Sequence, residues 1–139
     1  MRVVGFNFDK ISIERLKDRT EKLNIKTDID VSELKPLESD ILKTKGALLQ
    51  AKFSYSVNYE PDYAKVDIRG TAIISIDEKQ AKEVMKEWKK GQIPPDFRTF
   101  LFNVIMKKAS LKSLHLEDEL NLPLHLPMPA FRSQKEKEK

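Results

Sequence analysis

The side chains that could do chemistry in this chain are few and awkwardly placed. The histidines are His115 and His125, and close to them stands a run of carboxylates, Glu117-Asp118-Glu119. Imidazole and carboxylate together supply metal ligands and proton acceptors, so His115, His125 and Glu119 are the sharpest candidates for a metal centre or an acid–base pair. The spacing argues against them. The histidines straddle an expected change of backbone conformation, and a ligating histidine needs a fixed partner for its other ring nitrogen. Contiguous carboxylates with no fixed partner read as a solvated turn. Cysteine is absent, which removes thiolate metal sites, disulfides and a cysteine nucleophile. The glycines Gly5, Gly46, Gly70 and Gly91 are isolated, so no loop can cradle phosphate. No serine sits in a nucleophile-elbow context. The expectation is a protein with no catalytic residues, no metal and no cofactor.

Composition narrows the remaining classes. The chain has 139 residues, 40% hydrophobic and 35% charged, which suits one folded domain. Its 26 basic residues are interspersed with 22 acidic ones, for a net charge of +4. A nucleic-acid footprint wants basic residues clustered, so nucleic acid is not the expected partner. No apolar run approaches membrane-spanning length and no signal-peptide stretch opens the chain, so no membrane insertion and a cytoplasmic location are expected.

The elements that position these residues are readable from periodicity. Ala47, Leu49, Ala51, Phe53, Tyr55, Val57 and Tyr59 alternate with mostly polar residues. After Glu60-Pro61-Asp62 the apolar set resumes on even numbers: Val66, Ile68, Gly70, Ala72, Ile74 and Ile76, with Ile73 the misfit. This predicts a long antiparallel hairpin over residues 47–76, half-buried and in need of a cover. Residues 3–13 predict a strand whose parity changes from Phe6 and Phe8 to Ile11 and Ile13, with a bulge at Asp9-Lys10. Residues 14–22 predict a turn region, residues 23–31 a second half-buried strand, and residues 32–45 a long connection. Asp77 and Gln80 form a capping box for a helix over residues 78–90, stopped by Gly91. Pro95 opens a second helix to about residue 110, with Phe97, Phe100, Leu101, Val104 and Ile105 as its main stripe. Pro123, Pro127 and Pro129 then favour an extended strap showing Leu120, Leu122, Leu124, Leu126 and Met128 on one edge. Residues 132–139 are alternating charges and predict a disordered tail.

The order is therefore β-β-β-β-α-α. It predicts an α+β fold, a four-stranded antiparallel sheet with two C-terminal helices packed on one face, as a single domain over residues 1–131. Apolar residues remain in excess of one small core. Phe102 and Met106 lie off the helix stripe and are assigned to a homo-oligomer contact, in a dimer or tetramer. Phe6, Phe8, Leu122, Leu124 and Leu126 are assigned to the walls of an apolar groove for unfolded polypeptide.

On these features the chain resembles the protein-export chaperone family SecB. Phe6-Asn7-Phe8 is similar to the family's N-terminal apolar-aromatic motif, and Leu120-Asn121-Leu122-Pro123 through Phe131 to its segment after the long helix. The resemblance implies an ATP-independent holdase, a dimer of dimers that binds non-native clients in long grooves. The family is typically acidic and offers carboxylates to the export motor SecA. This chain is basic, with Lys52, Arg69 and Asp67 mixed on its exposed face, which fits a SecB-like chaperone for other clients, such as aggregation-prone antitoxins, better than export. The alternatives are a nucleic-acid-binding accessory protein, an oligomeric interaction protein that binds no client, or a small enzyme with a His/Glu site.

Overall fold

The structure, a computed structural model, describes residues 1–18, 22–38 and 46–131. Four strands, β1 (Arg2–Arg15), β2 (Asn24–Leu37), β3 (Ala47–Glu60) and β4 (Ala64–Ile76), precede two helices, α1 (Glu78–Lys89) and α2 (Pro95–Glu119). The strands form one antiparallel sheet in the order β1-β4-β3-β2. The expected α+β fold is thus observed, with the long hairpin at the centre and β1 and β2 at the edges.

The alternation in β3 and β4 places one set of side chains on the helix-covered face. Leu49, Phe53, Tyr55, Val57, Ile68 and Ile74 are buried there with Phe97, Leu101 and Ile105 of α2. Gly70 belongs to this set for a steric reason. A Cβ at Gly70 would lie 2.6 Å from the Phe53 ring and 2.5 Å from the Asn7 carbonyl oxygen. The absent side chain lets Phe53 lie flat on β4, and Phe6 stacks on Phe53 in turn at 5.2 Å.

The parity change in β1 is a bulge, as expected. The register with β4 shifts between Phe8 and Lys10, and again between Val3 and Gly5. Phe6 and Phe8 face Ala72 and Gly70, and Ile11 and Ile13 face Ile68 and Val66. The extra residue puts Ile11 and Ile13 on the same face as Phe6 and Phe8, which a straight strand could not do.

The predicted boundaries of both edge strands are corrected. β2 does not end at Val31 but continues to Leu37, so residues 32–37 of the expected connection are strand. Its register with β3 shifts between Val31 and Glu33, which returns Leu34 to the buried face. Pro36 is tolerated opposite Leu49 because β2 is an edge strand. β1 likewise runs to Arg15, inside the expected turn, and the Leu16 and Lys17 amides both donate to the Tyr63 carbonyl. The rest of both connections and the expected disordered tail, residues 19–21, 39–45 and 132–139, lie outside the described residues.

The second correction is α2, which runs nine residues past the expected end at residue 110, to Glu119. Its buried stripe continues every fourth residue as Ala109, Ser113 and Glu117, too small or too polar to register as an apolar period. The helix ends where Asn121 takes a left-handed conformation, φ 55°. The Leu122 amide donates to the Glu117 carbonyl and the Asn121 amide to the Asp118 carbonyl, the bond pair of a Schellman motif. α1 is close to expectation, although the Asp77 side chain makes no capping hydrogen bond. Residues 120–131 then cross the helix-covered face as a strap without regular structure. Among the described residues no helix is long and apolar enough to cross a membrane.

Candidate functional site

The candidate chemical groups are separated by the fold. His115 and Glu119 form an exposed pair on the outer side of α2, 3.2 Å apart. Glu117 points the other way and is fully buried, so it is not part of a solvated turn. A helix makes this inevitable: neighbours two apart face roughly opposite sides. Glu117 accepts a hydrogen bond from the Ser113 hydroxyl, one from the His125 backbone N–H at 2.8 Å, and one from His125 Nδ1 at 2.7 Å. On the far side of the ring, His125 Nε2 lies 2.6 Å from the Tyr55 hydroxyl, which is 3.1 Å from Ser110 Oγ. Tyr59 donates to the Pro123 carbonyl beside them.

The electrostatics follow from this enclosure. Burial alone would raise the Glu117 carboxyl. The hydrogen bonds from the His125 ring, Ser113 and the His125 backbone outweigh it, with the His125 charge, and hold that carboxyl below its ordinary value. Burial raises the Tyr55 phenol, opposed by the Ser110 bond and reinforced by the Glu117 charge. Tyr59 is raised by burial and then by the same carboxylate. A carboxylate, an imidazole and a hydroxyl in sequence have the geometry of a proton relay. Here both the His125 and the Glu117 side chains are 0% exposed. His115, His125 and Glu119 do not converge, and no cluster of metal-ligating residues occurs among the described residues.

The apolar candidates lie on the helix-covered side. Phe6 and Phe8 are half-buried near the β1 edge, edge to face at 5.4 Å, with Ile11 43% exposed nearby. Leu122 is buried in the core. Leu124 is half-buried, and Leu126 and Met128 are exposed. On α2, Met106 is exposed and Phe102 half-buried, with the Arg98 guanidinium 5.2 Å from the Phe102 ring centre.

Sequence periodicity missed a groove at the opposite edge of the sheet. It encloses about 720 Å³ between β2 and the connection from α1 to α2, with Ile29, Val31, Trp88, Ile93 and Phe102 as apolar walls. Asp30, Glu83, Glu87 and Arg98 supply its polar lining. A further depression of about 420 Å³ shares Ile93, Arg98 and Phe102 with it. Its residues come from three elements and a linker, so no local pattern announces it. On the uncovered face charges pair instead: Lys10 with Asp67 at 2.9 Å, Lys52 with Glu33 at 3.5 Å, and Arg69 with Asp67 at 3.6 Å.

No family model matches the chain, and no curated protein matches it. Among solved structures it is similar to the Mycobacterium tuberculosis Rv1957 SecB-like chaperone, solved in complex with a ChAD peptide from the Rv1956 HigA1 antitoxin. The TM-score is 0.52 at 13% identity, over 94% of this chain and 87% of that one. The likeness is one of fold: four antiparallel strands followed by two helices.

Proposed function

We propose that this chain is a holdase, a chaperone that keeps non-native polypeptide from aggregating without ATP and without covalent chemistry. The observation that carries this reading is the open groove in which Ile29, Val31, Trp88, Ile93 and Phe102 stand among Asp30, Glu83, Glu87 and Arg98. It lies in a fold shared with a SecB-like chaperone solved with a peptide bound. Apolar walls bind by contact area, which suits clients that share no sequence. Phe6 and Phe8 at the β1 edge and Leu124 and Leu126 on the strap are further apolar contacts that we assign to the client. Leu122 is buried in the core and is not among them.

The exposed Met106 and the half-buried Phe102 favour a companion reading, a contact between copies of this chain. Phe102 belongs to both surfaces, so a copy seated over its ring would compete with a client for that end of the groove. A nucleic-acid role is disfavoured by the pairing of Lys10, Lys26, Lys52 and Arg69 with carboxylates.

Trp88 is the only tryptophan and lines the groove, so its emission reports occupancy. Titration with a permanently unfolded, tryptophan-free polypeptide should shift that emission saturably and almost independently of salt. An unchanged emission, or affinity falling steeply with salt as phosphate contacts demand, would contradict the reading.

A further inference from the structure

The strap has neither ladder nor helix of its own, so its attachments can be traced bond by bond. Arg15 donates to the Leu120 carbonyl, Leu122 sits in the core, Tyr59 donates to the Pro123 carbonyl, and Glu117 takes both the backbone and the ring N–H of His125. Beyond His125 the chain turns outward, and residues 126–131 are exposed. The attachment past Leu122 is therefore largely polar, and its members depend on one another. In a site without water such a network is stabilising when complete and costly when one member is missing, so it opens as a unit. Tyr55, Tyr59 and Leu122 share one core with Phe53, Ile68, Ile74, Leu101 and Ile105, but the side chains of those five are apolar and take no part in the hydrogen-bond network.

We propose that the strap is a latched cover: Glu117, His125 and Tyr55 hold residues 123–125 against the sheet, and opening the latch bares Tyr55 and Tyr59 while sheet and helices stay folded. The titratable and charged groups around the latch are Glu117 on α2, Tyr55 and Tyr59 on β3, Arg15 at the end of β1, and His125 itself; Asp118 and Glu119 are exposed. They determine which protonation opens it. A proton on His125 leaves the Nδ1–H on Glu117 and turns Tyr55 into an acceptor from Nε2, with the phenol then donating to Ser110, so every donor keeps a partner. A proton on Glu117 removes the charge that gathers Ser113 and both His125 donors. Acid therefore opens the cover when the carboxylate takes up its proton.

Hydrogen exchange read by NMR on the full chain tests this. The His125 amide, bonded to Glu117, should lose protection as pH falls through the carboxylate range while the Tyr55 and Ile68 amides of the sheet keep theirs. Glu117→Gln should speed His125 amide exchange about tenfold or more at neutral pH and abolish the acid step; Glu119→Gln should do neither. If the His125 and sheet amides open together at every pH, or if Glu117→Gln leaves the His125 amide as protected as before, the strap is an ordinary part of the core. The wild-type pH series decides even if Glu117→Gln fails to fold. No client enters the measurement, so the result is independent of the holdase reading.

Discussion

Glu117 shows how a single residue can be misread when its neighbours dominate the pattern. In sequence it is one of three adjacent acids; in the fold it is the acceptor on which Ser113 and His125 converge. Glu117→Ala would strand those donors in a dry site, at a cost of about 3 kcal/mol, measurable as a lower urea midpoint. Its pH dependence has a definite sign. A carboxyl held below its ordinary value in the fold contributes stability that is present above the unfolded value and lost as pH falls through the folded one. The phenols act oppositely. Tyr55 and Tyr59 are raised, so their contribution is complete below the ordinary tyrosine range and lost as pH rises through it. Stability should therefore decline at both extremes, and Glu117→Gln should flatten the acid limb and soften the alkaline one, because the same carboxylate raises both phenols. An unchanged acid limb in that variant would show that other carboxylates govern it.

The elements were legible wherever one face is apolar and the other wet. β3 and β4 follow alternation almost residue for residue, and the β1 bulge announced itself because Phe6 and Phe8 share no parity with Ile11 and Ile13. What escaped has physical causes. β2 resumes after a bulge at Ser32 and tolerates Pro36 only because it is an edge strand, a fact of topology. The last turns of α2 bury Ala109, Ser113 and Glu117, which carry no hydrophobic signal. The Phe6 and Phe8 pair was visible as an anomaly, whereas the Trp88 groove, assembled from distant segments, was not. The close approach at Gly70 gives the element-scale prediction. Gly70→Ala would force a Cβ against the Asn7 carbonyl and the Phe53 ring, neither of which can yield without moving β1 or the core. The expected loss is about 3 kcal/mol in denaturant unfolding. A neutral result would mean that β1 shifts easily on β4.

At the scale of the whole molecule, the sheet carries helices and strap on one face and paired charges on the other, and its remaining apolar surface lies at the margins of the covered face. Met106, 41% exposed beside Phe102, is the place to test self-association. Met106→Glu should yield smaller particles in sedimentation at unchanged helical content, because a charge brought into an apolar contact costs several kcal/mol, of order 3. A wild type that sediments as a monomer at high concentration would remove that contact from the account. Capture of non-native chains is read out by aggregation suppression. A chemically denatured protein is diluted into buffer with this chain at equimolar and higher amounts, with and without ATP, and light scattering is followed. Suppression should be dose-dependent and identical with and without ATP. It should be lost in Phe6→Ser with Leu124→Ser at a melting temperature within a few degrees of wild type, about 5 at most. Scattering that rises as fast with the chain present as without it would contradict the claim.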